Sequence, residues 1–218
     1  VTSIKKGAFS GCISLLSVKI PDSVTSIEEE SFKNCFLLLS ITIPDSVFVI
    51  GDYVFTNCKS LKTVNIGKMV YEIGESAFEE CESLGSITIP EGVSGIAQYT
   101  FEGCKNLTTV SIPSTAANIG YRAFYQCYQL KEIDIPEGVS SIETQAFLDC
   151  TRLSKVYLPK SLESIAIVFT VSGGGGRSLS VYYNGTEEEW NVVQKGSTIG
   201  NGRKEINVVY KTTCTVQF

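Results

Sequence analysis

Phenylalanine recurs at Phe9, Phe32, Phe55, Phe78, Phe101, Phe124 and Phe147, each 23 residues after the last, and a cysteine stands three residues after every one, from Cys12 to Cys150. Three residues further comes leucine, from Leu15 to Leu153, then Val or Ile at Val18, Ile41, Val64, Ile87, Val110, Ile133 and Val156. A second apolar residue, Ile20 through Leu158, closes the segment, and in six of the seven units a proline follows it directly. A further isoleucine series, from Ile4 to Ile165, marks the far side of each unit. Self-similarity at a fixed period of this length identifies a repeat architecture before any secondary structure is assigned.

Each position of the repeat has a physical reason. Val-x-Ile puts two β-branched side chains on one face with a polar residue between them, the pattern of a short half-buried strand. Proline lacks the donor needed to continue a ladder, so it fixes where each strand stops. The Ala-Phe-x2-Cys stretch has three-residue spacing and no β-branched run, which predicts one short helical or 3₁₀ turn on the opposite side. A single 23-residue unit cannot bury its own apolar face. Stacking places each Phe, Cys, Leu and Ile over its counterpart and makes continuous internal columns. The expectation is an α/β repeat solenoid of short parallel strands with helical or 3₁₀ turns opposite. At about 4.8 Å per strand, seven units would span about 35 Å.

The division expected is seven repeats over residues 1–165, the first incomplete, and a degenerate repeat with a C-terminal cap over 166–218. Leu179 to Tyr183 reads as a further strand and Asn184-Gly185 as a turn. Thr186 with Glu189 fits a capping box that opens a short helix through Val193, with Trp190 facing inward. Ile206 to Tyr210 and Cys214 to Phe218 read as closing strands over an end that would otherwise expose apolar surface. The chain opens at Val1 partway into a repeat and has no equivalent N-terminal cap, which predicts sequence before it. Gly67 stands where the repeat calls for proline, and residues 166–177 depart from the pattern throughout.

The Cys-x2-Leu-x2-Val-x-Ile-Pro core and the Ile-x3-Ala-Phe signature resemble the BspA-like, or Treponema-type, leucine-rich repeat family of bacterial surface proteins, over residues 1 to about 165. Residues 178–190 also resemble a terminal element common in that family. The resemblance implies a leucine-rich-repeat stack, secretion or display at the cell surface, and binding of host matrix proteins or other cells.

Composition narrows the chemistry. The chain contains no histidine, which removes the usual general base, the Ser-His and Cys-His pairs and nearly all standard zinc sites, so no catalysis, metal or cofactor is expected. Seven of the eight cysteines lie 23 residues apart rather than in close pairs, which favours a column of small buried thiols over disulfides or metal ligation. Gly173 to Gly176 lacks the Lys-Ser/Thr ending of a phosphate loop and reads as a flexible linker. The runs Glu28 to Glu30 and Glu187 to Glu189 read as solvated charge, with no second acid placed opposite. A net charge of −5 disfavours nucleic acid and anionic lipid, and no apolar run is long enough for a membrane span.

What remains is the strand face. The outward positions through the middle are small and hydroxyl-rich, whereas Glu132, Asp134, Lys155 and Tyr157 make the C-terminal end charged and aromatic. That end, continued by Tyr182 and Tyr183, is the candidate contact patch. Ser and Thr also suit exposed strands without any ligand, and the aromatics could equally shield the last repeats. Two functions fit: an adhesin-like module that binds a host or microbial protein or a glycan, extracellular matrix proteins among them, and a structural spacer that holds another domain away from the cell surface.

Overall fold

The computed structural model describes residues 1–166, 168–169, 171–172, 178–196 and 205–210. The glycine run 173–176, Cys214 and the strand expected over Cys214 to Phe218 lie outside these described residues. The chain winds into a three-sided solenoid in which each coil repeats the one before it, and the strand pairings within it are parallel.

One side carries the Val-x-Ile strands, among them Ser40–Thr42, Thr63–Asn65, Glu132–Asp134 and Lys155–Leu158. Their central residue is buried and its neighbours are exposed, as alternation in a half-buried strand requires. The row continues through Leu179–Tyr183 to Ile206–Tyr210, with Val156, Val181 and Val208 in register. A second side, built on the isoleucine series, has two-residue strands such as Ser3–Ile4, Ser26–Ile27 and Ser164–Ile165, also parallel. Its last strand, Gln194–Lys195, puts Lys195 where the column otherwise holds isoleucine.

The third side corrects the expected helical or 3₁₀ turn. In each coil the chain makes hydrogen-bonded turns instead, and the helix among the described residues is Glu187–Val192 in the cap. In the second coil Ser31 N bonds to Glu28 O, Lys33 N to Glu30 O and Cys35 N to Phe32 O, each closing a turn over three residues. The intervening Glu30, Phe32 and Asn34 N–H groups point along the stack to Asp52 O, Val54 O and Thr56 O. A 3₁₀ helix would commit every N–H within its own coil. The alternation is made possible by two left-handed residues four apart, Glu30 at φ 57° and Asn34 at φ 61°, each the third residue of a turn that requires positive φ. The pair recurs as Tyr53 and Asn57, Ser76 and Glu80, Tyr99 and Gly103, Arg122 and Gln126, and Gln145 and Asp149.

The core is a set of columns. The phenylalanine rings stack from Phe9 to Phe169 with centroids 5.1 to 5.6 Å apart. Phe169 is an eighth rung lying 22 rather than 23 residues after Phe147, so the turn column runs one coil further than the sequence period. Beside it stands the thiol column. Cys35, Cys58, Cys81, Cys104, Cys127 and Cys150 are buried, and each Sγ donates to the carbonyl of the phenylalanine 26 residues earlier, at 3.1 to 3.3 Å. That carbonyl also accepts the backbone N–H of its own coil's cysteine, so both of its lone pairs are used. Burial pushes the Cys81, Cys104 and Cys127 thiols up and keeps them protonated.

At the C-terminal end the capping box forms as expected. Thr186 Oγ1 accepts Glu189 N at 3.3 Å, and Glu189 Oε2 accepts Thr186 N at 2.9 Å. Trp190 is buried against Tyr183, with ring centroids 5.1 Å apart. Lys195 Nζ lies 4.6 Å from the Trp190 ring centroid and donates to Val193 O and to Trp190 O, the latter also accepting the Val193 N–H, so it ties down the end of the short helix.

Candidate functional site

The strand row aligns Asp134, Tyr157, Tyr182 and Val209 side by side, because each is the outward residue at the same level of consecutive coils. The Tyr157 and Tyr182 rings stack at 4.9 Å with planes 16° apart. Beneath them lies an open groove of about 520 Å³, walled by two proline-bearing strand ends, at Pro136 and Pro159, by the end of the next strand at Tyr183 and Asn184, and by Val209 and Tyr210. Asp134, Tyr157, Tyr182 and Tyr183 all line it. Glu132 and Lys155 do not. They lie opposite each other one step earlier on the same strands, both exposed, and form no ion pair among the described residues.

Tyr183 differs from the exposed contact residue expected of it. Side chains in the strand Leu179–Tyr183 alternate, so Leu179, Val181 and Tyr183 turn inward while Ser180 and Tyr182 face out. Tyr183 is only 3% exposed and packs on Trp190. Two adjacent tyrosines in one strand cannot both be surface anchors.

The groove also holds residues that the sequence reading passed over. Glu137 follows Pro136 and reaches the next coil, accepting Lys160 N at 3.1 Å, Ser161 N at 3.2 Å and Asn184 Nδ2 at 2.6 Å. Partial burial opposes its ionisation, but the hydrogen bonds from Asn184 and the two backbone N–H groups outweigh that and hold its carboxyl below the usual range. A signal for this was present. Asp45 and Glu91 occupy the same position of earlier repeats and accept the next coil's N–H groups in the same way. Lys160, the nearest cation on that side, is taken up by Glu189 at 2.7 Å. Asp134 has no hydrogen-bond or ion-pair partner among the described residues.

Elsewhere the acidic runs are accounted for locally: Glu28, Glu29 and Glu30 pair with Lys5, Lys6 and Lys33. Among the described residues no group of three His, Cys, Asp or Glu side chains is placed to hold a metal ion, and no helix is long and apolar enough to cross a membrane. Two other surface features stand out from the repeat. Ile13, Leu16, Phe36, Leu37 and Leu39 are 38 to 57% exposed in the first two coils. On the turn side, Arg122 lies over the Tyr121 and Tyr125 rings at 5.3 and 4.8 Å and donates from Nε to Gln145 at 2.6 Å, a cluster satisfied within itself.

Comparison with known proteins agrees with the geometry. A crystallised leucine-rich repeat protein from Bacteroides ovatus superposes with a TM-score of 0.76 at 27% identity over 96% of this chain. The chain spans 64% of that protein's length. A leucine rich cell surface protein from Faecalibacterium prausnitzii (23% identity, 89% of this chain and 72% of that one, TM-score 0.40) and the leucine-rich repeat protein of T. pallidum (22%, 88% and 72%, TM-score 0.48) are more distant. No curated protein sequence matches significantly. The sequence matches the BspA type leucine rich repeat region in six copies, over residues 1–104 and 72–169. With that match running through the stacked phenylalanine and cysteine columns, the chain belongs to the BspA-type leucine-rich repeat family.

Proposed function

We propose that this protein is a secreted or surface-displayed interaction module that binds a protein partner through the C-terminal end of its strand face. The observation that carries the proposal is the alignment of Asp134 with the stacked Tyr157 and Tyr182 over one groove. Tyrosine pairs on a rigid support supply large contact area at little entropic cost, and such residues dominate the energetics of protein interfaces. Rigidity comes from the columns behind them, since Val156 and Val181 are buried directly under the outward positions. In this division of labour residues 1–165 form the repeat array and 166–218 its end piece, with Tyr182, Val209 and Tyr210 contributed by the latter. The family resemblance, which implies secretion or display at the cell surface, supports that part of the reading.

The test is binding of the purified chain to arrayed extracellular-matrix proteins, with Tyr157→Ala and Asp134→Ala alongside. The expected outcome is at least one bound protein whose affinity falls about tenfold, or about 1.4 kcal/mol, in either variant. Binding that ignores both substitutions would remove the patch, and no binding at all would favour a spacer that holds another domain away from the surface.

A further inference from the structure

From the lining of the groove we infer that its ligand is a cationic side chain, an arginine or lysine presented by the partner protein and seated between the Asp134 carboxylate and the outward-facing Tyr157–Tyr182 pair. This inference rests on the strand-face reading above and adds the chemistry that would be recognised.

Four observations lead to it. The two tyrosine rings are stacked on each other, so one face of Tyr157 is covered by Tyr182, and its other side borders the coil that carries Asp134. Aspartate is far shorter than tyrosine, so the row steps down there and leaves a notch with an aromatic wall and a carboxylate floor. Asp134 is exposed, without a hydrogen-bond or ion-pair partner among the described residues, so its oxygens are open to a donor. The groove's second carboxylate, Glu137, is held ionised by its three hydrogen bonds. Among the described residues no lysine or arginine lines the groove. Lys160 is bound to Glu189, and Lys155 stands at the other end of its strand, outside the lining.

A site of this composition discriminates by charge. Two carboxylates with no cation among the described lining residues repel phosphate, sulfate and carboxylate groups. A guanidinium or ammonium donates a charge-assisted hydrogen bond to the Asp134 carboxylate and gains a cation–π contact from the tyrosine pair. Arginine suits the notch better than lysine, since its planar group stacks on a ring while its edge donates to a carboxylate. A neutral sugar would also find an aromatic wall and acceptors there, but its binding would not need a full negative charge on Asp134. The two ligand classes are therefore separable by experiment.

The experiment measures binding of the whole chain to fluorescent ten-residue Gly-Ser peptides carrying two arginines, two lysines or two citrullines, with a neutral oligosaccharide array in parallel. Citrulline keeps the shape of arginine without its charge. The arginine peptide is expected to bind at least tenfold more tightly than the citrulline peptide and to weaken as salt rises. Asp134→Asn and Tyr157→Leu should each reduce arginine binding at least fivefold, and the thermal midpoints of both variants should match that of the parent chain. Equal binding of arginine and citrulline peptides, indifference to Asp134→Asn, or binding of a neutral oligosaccharide that depends on Tyr157 would each overturn the inference. In those cases a matrix protein that still needs Tyr157 would leave the strand-face reading standing. An arginine peptide that binds as expected while no matrix protein binds would instead refute the matrix partner and keep the cationic site.

Discussion

Replacing Phe78 by alanine should cost about 5 kcal/mol, more than a typical buried phenylalanine. Its ring is wholly buried and stacked on both sides, 5.4 Å from Phe55 and 5.6 Å from Phe101. Loss of the ring and the cavity it leaves accounts for about 3 to 5 kcal/mol. The two stacked contacts, worth about 0.5 to 1.5 kcal/mol each beyond area burial, push the value to the top of that range. Collapse around the gap is hindered, because Phe78 N is tied to Thr100 O at 2.9 Å and Phe55 N to Ala77 O at 2.8 Å, which fixes the spacing of the coils. Phe9 is the control. It is half-buried and stacks on Phe32 alone among the described residues, so Phe9→Ala should cost about 2 kcal/mol on the same reasoning. Urea unfolding followed by far-ultraviolet circular dichroism would measure both, and Phe78→Ala should also broaden the transition as the array loses its central coupling. A double-mutant cycle adds a sharper check, since Phe78 should couple to Phe101 but not to Phe124. Equal costs for Phe9→Ala and Phe78→Ala, or no coupling between adjacent rungs, would refute the column as the source of stability.

Restoring the repeat's proline at Gly67 should destabilise the chain, and so should Gly67→Ala, because a Cβ there would lie 2.4 Å from the Pro44 carbonyl oxygen; a raised thermal midpoint in either variant would contradict the packing. Alkylation of the folded chain followed by peptide mapping should modify the exposed Cys12 long before Cys58, Cys81 or Cys104, whose thiols are buried and hydrogen-bonded, and uniform rates would deny the thiol column. Thr186→Ala should cost about 1 kcal/mol in the cap, and since Trp190 is the chain's one tryptophan, its fluorescence should change at lower urea than the circular dichroism does. Burial, then Glu79 and Glu80, push the Glu102 carboxyl up to about 7, so the folded state binds a proton more tightly than the unfolded chain. Stability should therefore fall as pH rises from about 4.5 to about 7, and Glu102→Gln should recover about 1 kcal/mol at pH 8 but nothing at pH 4, the exposed part of the group being screened.

The stack was legible because a column needs the same residue in every coil, and identical residues at a fixed period are visible in a sequence. The turns were less legible because left-handed backbone has no single residue code. Gly11, Asn34, Asn57, Gly103 and Asp149 precede their cysteines at one of these positions, and all are residue types that tolerate positive φ. Glu80 and Gln126 do the same work without that signal, and at the other position Tyr53, Tyr99 and Arg122 actively conceal it. Three-residue spacing between Phe and Cys therefore suggested a helical turn, when the same spacing arises from overlapping four-residue turns closed at every second residue, whose alternate donors serve the next coil. Phe169 escaped notice because one residue fewer in its coil breaks the period while leaving the ring on the column.

The candidate groove shows the reverse relation between pattern and site. Columns must repeat, but an outward strand position is free to vary from coil to coil, and departure from the small hydroxyl residues of the middle coils is what marked Asp134 and Tyr157. Past residue 165 the period fails, and only the register of the strands, which pairs Tyr157 with Tyr182 across 25 residues and Tyr182 with Val209 across 27, assembles the rest of the wall. The same register explains why Tyr183 belongs to the cap's core and Tyr182 to the surface. Glu137 joined the site for yet another reason: its carboxylate is positioned by backbone N–H groups of the following coil, a device used at Asp45 and Glu91 to tie coils together, and at Glu137 the groove with the tyrosine pair opens beside it. A repeat protein of this kind thus acquires a distinct surface by letting its array meet an irregular end piece, where tie residues and outward residues of neighbouring coils are no longer copies of those before them.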